Sequence, residues 1–89
     1  MLRITVISQT EEETVLKVEG KVSGADVAIL AEEGTRSLQE AERLILDLQG
    51  VKFIDRAGIS LLKRWAGDRL VLRVTSPFLL TLLKRHGLL

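Results

Sequence analysis

The chain reads as one α/β domain, a mixed four-stranded sheet flanked by helices in the order β-β-α-β-α-β-α. Three observations carry that reading. A length of 89 residues suits a single domain spanning 1–89. Apolar residues alternate at period two near the start and then switch to spacings of three and four. Short apolar runs then recur between the helical stretches, as they do in a sheet packed against helices. Hydrophobic residues make up 46% and aromatic residues 3%. The core is therefore expected to be aliphatic, with Phe53, Phe78 and Trp65 as its only large rings.

Leu2, Ile4 and Val6 alternate with Arg3 and Thr5, which predicts a half-buried first strand. "SQTEEE" is a polar turn, and "TVLKVE" at 14–19 predicts a second strand ended by Gly20 and paired hairpin-fashion with the first. From Ala25 the period changes. Val27, Leu30, Ala31, Gly34 and Leu38 form one face of an amphipathic helix. Gly34 on that face costs about 1 kcal/mol relative to Ala, which a close approach of the helix to the sheet would explain.

"RLILDL" at 43–48 suits a buried third strand. Gly50 permits a turn, and Val51 and Phe53 are expected to return to the core. Asp55 is placed to cap the next helix, whose stripe is Ile59, Leu62 and Ala66, with Leu61 and Trp65 alongside. Gly67-Asp68 breaks it, and "LVLRVT" at 70–75 predicts the fourth strand. Ser76-Pro77 starts the last helix, with Phe78, Leu79, Leu82 and Leu83 as its stripe and Gly87 as its stop.

Composition excludes several functions. There is no cysteine, so no disulfide, thiol nucleophile or thiolate metal site. A net charge of +1 gives no electrostatic reason for a nucleic acid or membrane partner. No apolar run is long enough to span a bilayer, and the start of the chain alternates like a strand rather than a leader, so a cytoplasmic, non-membrane-embedded protein is expected. His86 is the only histidine, beside Lys84 and Arg85 in a last helical turn, where cations suit the helix dipole. The acidic runs at 11–13 and 32–33 read as a solvated turn and helix face. No metal or cofactor is expected.

The strand-to-helix break "IDRAG" remains as the candidate site. A helix N-terminus presents free N–H groups, and a hydroxyl there would make a natural phosphorylation switch. This chain instead carries Asp55, Arg56, Ala57 and Gly58. Arg56 in a first turn opposes the dipole slightly; it is either an ordinary surface residue, the penalty being too small to need an explanation, or it pairs with an acidic group on a partner or with Asp55. Gly58 gives either a tight first turn or room for a partner backbone. Ser60 should point to a different azimuth from the break. Trp65 either packs in the core or stands beside the loop as an interface anchor, with Leu61 at the margin of the buried stripe.

"LILDLQGVKFIDRAGISLL" resembles the signature segment of STAS domains, the anti-sigma-factor-antagonist family. "LKVEGKVSGADVAILAEE" and "LVLRVTSPFLLTLLKRHGL" resemble the family's flanking elements. The resemblance implies a single STAS-like domain that is a non-catalytic binding module without cofactors. It implies that the 55–58 loop and the following helix dock a protein partner, an anti-sigma factor or kinase-type regulator. Family partners phosphorylate the serine or threonine just before the glycine and so break the complex. Asp55 and Gly58 match the family pattern; Arg56 replaces a usual serine, Ser23 stands where the family often has Asp, and Ala57 occupies the acceptor position without a hydroxyl. The expected partner-binding residues are Asp55, Arg56, Ala57, Gly58, Leu61, Trp65 and Ser23. An alternative implied by the same resemblance is an accessory subunit on the ATPase of an ABC phospholipid-transport system. A nucleotide-binding role rests only on the helix N-terminus at 56–58.

Overall fold

The computed structural model describes residues 1–89. Two strands open the chain, β1 (Leu2–Gln9) and β2 (Glu13–Val22), and α1 (Asp26–Glu40) follows. Then come β3 (Arg43–Ile54), α2 (Arg56–Trp65), β4 (Leu70–Arg73) and α3 (Pro77–Arg85). The strands form one sheet in the order β1-β2-β3-β4. β1 and β2 are antiparallel, while β2–β3 and β3–β4 are parallel. That geometry follows from the connections: a short turn allows a hairpin, and each helix provides a crossover.

The core is a cluster of 14 buried residues, all Leu, Ile or Val. It joins the sheet to the three helices through residues such as Leu16, Leu46, Leu30, Leu62, Leu79 and Leu83. Neither phenylalanine belongs to it: Phe53 is 44% exposed and Phe78 58% exposed, against expectation. The reason for Phe53 lies in the pairing. β3 runs unbroken through Gly50 instead of turning there, but it carries an extra residue at two points against β2. After the second slip Phe53 sits opposite the exposed Lys21, and Ile54 takes the core position opposite Val22. A bulge thus reverses which residue faces inward.

β2 also runs past Gly20, which has φ +94 and faces Leu2. A Cβ there would lie 2.0 Å from the Met1 carbonyl oxygen, so glycine is what lets the strands pair.

Gly34 is buried, but not against the sheet. A Cβ on it would lie 2.1 Å from Cη2 of Trp65, so its role is to seat the α2 indole against α1. At the far end of α1, Arg69 reaches back from the α2–β4 connection. Its guanidinium donates to the carbonyls of Glu42 at 2.9 Å, Ala41 at 2.9 Å and Leu38. α1 has no basic residue in its own last turn, so Arg69 supplies the cation its terminal carbonyls favour. α3 begins as the sequence predicts, with Ser76 Oγ accepting from the Leu79 N–H at 3.4 Å and Pro77 in the first turn.

Candidate functional site

The parallel crossovers bring the start of α1 and the start of α2 to the same end of the sheet. Asp55 ties them together. Its backbone is extended (φ −84, ψ −179), and its Oδ1 accepts from the Gly58 N–H at 2.8 Å as a helix cap. Oδ2 accepts from the Gly24 N–H at 2.9 Å, in the loop before α1. The Asp55 N–H in turn donates to the Val22 carbonyl at 3.0 Å. One carboxylate therefore joins two loops and caps one helix.

These bonds favour the charged form. The Gly24 N–H and then the Gly58 N–H hold the carboxyl below its ordinary value; burial opposes them more weakly, and the Ala57 N–H adds the least. They also occupy the carboxylate. Arg56 makes no ion pair with it; the ion pairs of the molecule are Arg36 with Glu32 and Glu33, and Arg43 with Glu13. Of the alternatives for Arg56, pairing with Asp55 is the one that does not occur: the carboxylate makes two backbone bonds instead, and Arg56 stands exposed and unpaired.

Gly58 is buried and inward-facing. A Cβ there would come within 2.7 Å of Ile54 Cγ2 and 3.0 Å of Val22 Cγ1. The missing side chain lets the first turn of α2 sit close against Ile54 and Val22. Ser23 is half-buried, and its carbonyl accepts from the Asp26 N–H at 3.2 Å; α1 starts without a side-chain cap.

A groove of about 920 Å³ lies between α1 and α2. Val27, Ala28 and Ala31 line it from α1, and Ala57, Ser60 and Leu61 from α2. The guanidinium-bearing residues Arg56 and Arg64 line it as well, and Asp55 with Gly24 lies at its end. Ala57 is exposed in this groove, where a hydroxyl would have been accessible.

Two expected site residues are placed differently. Leu61 is only 2% exposed, because the buried stripe of α2 is Gly58, Ile59, Leu61 and Leu62. It belongs to the core rather than to its margin. Trp65, four residues on, is half-buried over Gly34 and does not line the groove. It acts as a spacer between the two helices. Ser60 and Arg64, by contrast, line the groove although neither was singled out from the sequence as a binding residue. Their spacing from Ala57 at three and seven residues was the available signal.

A second, more polar cleft of about 580 Å³ sits at the other end of α1, where Arg69 is committed to backbone carbonyls. It gathers no catalytic constellation.

Comparison with known proteins agrees with the geometry. The family model described as Mlab, STAS domain, matches residues 5–88. An anti-sigma factor antagonist from Mycobacterium paratuberculosis superposes with a TM-score of 0.79 at 18% identity, covering 99% of this chain and 80% of that one. The anti-sigma factor antagonist SpoIIAA in its unphosphorylated form gives a TM-score of 0.75 at 18% identity, over 99% of this chain and 82% of that one. An antisigma-factor antagonist STAS domain from Rhodobacter sphaeroides gives 0.57 at 18% identity, covering 83% and 85%. No match was found among curated protein sequences.

Proposed function

The chain belongs to the STAS domain family, and on that premise we propose that it is a non-catalytic regulatory module that holds a protein partner in the groove between α1 and α2. The observation that carries this reading is Ala57. It is exposed in the groove, at the position where the family resemblance puts a phosphoacceptor, and it offers only a methyl group. The surrounding geometry supports a binding role. Asp55 spends both oxygens on backbone N–H groups, so it is a poor general base, and no histidine or second free carboxylate lines the groove.

Docking without a hydroxyl means binding that this position cannot switch off by phosphorylation. The partner proposed is an anti-sigma factor, in keeping with neighbours that are anti-sigma factor antagonists, or a kinase-type regulator of the sort the family resemblance implies, met in the cytoplasm. Ala57 also favours a second reading, an accessory subunit on the ATPase of an ABC phospholipid-transport system, since that docking needs no acceptor.

Affinity capture from host extract tests the proposal. The wild-type domain should retain a defined protein. Ala57→Glu, which brings the charge that a phosphate would bring, should release it. Thr5→Glu on the edge strand β1 should not. Equal retention by all three would overturn groove docking, and the identity of the retained protein separates the two readings.

A further inference from the structure

Resting on that docking reading, we infer that the segment held in the groove is an amphipathic helix whose apolar stripe is bordered by carboxylates. The shape argues for a helix. The groove walls are themselves helices, whose backbone groups are paired internally, so they offer no free edge to an extended strand. A helical occupant satisfies its own backbone and needs only an apolar face to match Val27, Ala28 and Ala31. Ala28, Ala31, Ala57 and Ser60 are small, which lets a third helix axis come close.

The charges argue for carboxylates. Arg56 and Arg64 both line the groove, are exposed and have no ion-pair partner within the chain. The one carboxylate of the lining, Asp55, is bound to Gly24 and Gly58. The partial positive charge of the α2 N-terminus adds to the same sign. Arg56 and Arg64 are eight residues apart in the sequence, so they lie roughly 12 Å apart along the helix axis. A partner helix lying along α2 would meet them with acidic residues seven or eight positions apart.

Two synthetic helical peptides of about 18 residues test this. Both carry the same Leu/Ala stripe; one has Glu at the flanking positions and the other Lys. Each is titrated into the isotope-labelled domain while amide shifts are followed by NMR. The acidic peptide should move the amides of Gly24, Ala28, Ala57 and Ser60. It should bind about tenfold tighter than the basic one, and added salt should erode the difference. The double variant Arg56→Glu/Arg64→Glu should invert the preference. Equal affinities, a preference for the basic peptide, or shifts centred elsewhere would overturn the inference. So would no binding by either peptide, which leaves groove docking to be judged by affinity capture. If the free domain self-associates with the same shift pattern, the occupant is a second copy and the acidic helix is wrong.

Discussion

Gly34 and Trp65 meet between the two helices that wall the groove. The indole atoms Cη2, Cζ2 and Cζ3 lie 2.1, 2.6 and 2.8 Å from where a Gly34 Cβ would sit. The ring therefore rests on bare backbone, and the α1–α2 spacing depends on that missing methyl.

Replacing Gly34 with Ala sets two effects against each other. Helix propensity favours Ala by about 0.5–1 kcal/mol. Overpacking a fitted site costs about 1–3 kcal/mol, and here the obstacle is a rigid ring. The clash should win, so Gly34→Ala lowers the urea midpoint. It should also shift the tryptophan emission, since Trp65 is the only tryptophan. In Gly34→Ala/Trp65→Ala the clash is gone, and the double variant should be more stable than the two single changes added together. A neutral or stabilising Gly34→Ala would show that the indole moves aside freely.

Arg69 supports a second prediction. One fork reaches the carbonyls of Leu38, Ala41 and Glu42 and so closes the C-terminal end of α1. Arg69→Ala should cost about 1.5–3 kcal/mol, the range for hydrogen bonds made by a charged group. Amide exchange should speed up in the last turn of α1. Arg69→Lys keeps the charge but loses the planar fork, so it should recover only part of the loss. Full recovery with lysine would mean that charge alone holds this end.

The element order was legible because helical and strand periods change cleanly along the chain, as at Ala25 and after Asp55. Ser76-Pro77 gave the start of α3 directly, since its capping bond is local. Phe53 was not legible. Its inward or outward direction depends on two slips in the β2–β3 pairing, which are properties of two strands at once. The close packing at Gly34 was visible, but its partner was not, because Trp65 lies 31 positions away. In the site, the cap role of Asp55 followed from its neighbours. The bond from Gly24 and the Ser60–Arg64 wall appeared only once α1 and α2 were set side by side.

Thr14 yields a prediction of opposite sign. It is 1% exposed, and its Oγ1 has no hydrogen-bond partner. The hydroxyl has lost water and gained nothing. Val has nearly the same shape without that cost. Thr14→Val should raise stability, by up to about 1 kcal/mol, where most buried polar substitutions lower it. A loss in urea unfolding would show that the hydroxyl is satisfied in solution.

Asp55 makes stability depend on acid in a definite direction. Its folded carboxyl is a stronger acid than the ordinary value of 3.8, because the Gly24 and Gly58 N–H groups bind the charged form. Between those two values the unfolded chain binds more protons than the folded one, so lowering the pH favours unfolding. The contribution is complete above the ordinary value and is lost as pH falls through the folded one. Asp55→Asn removes this titration and leaves a single acceptor oxygen for two N–H donors. At neutral pH the variant should be the less stable protein, and its Gly24 amide should exchange faster. As pH drops from about 5 towards 2, the wild type should lose more than the variant, and the gap between their urea midpoints should close. The remaining carboxylates are common to both proteins and largely cancel in that difference. A gap that stays constant across the acid range would mean that the carboxylate charge plays no part in joining the α1 loop to α2.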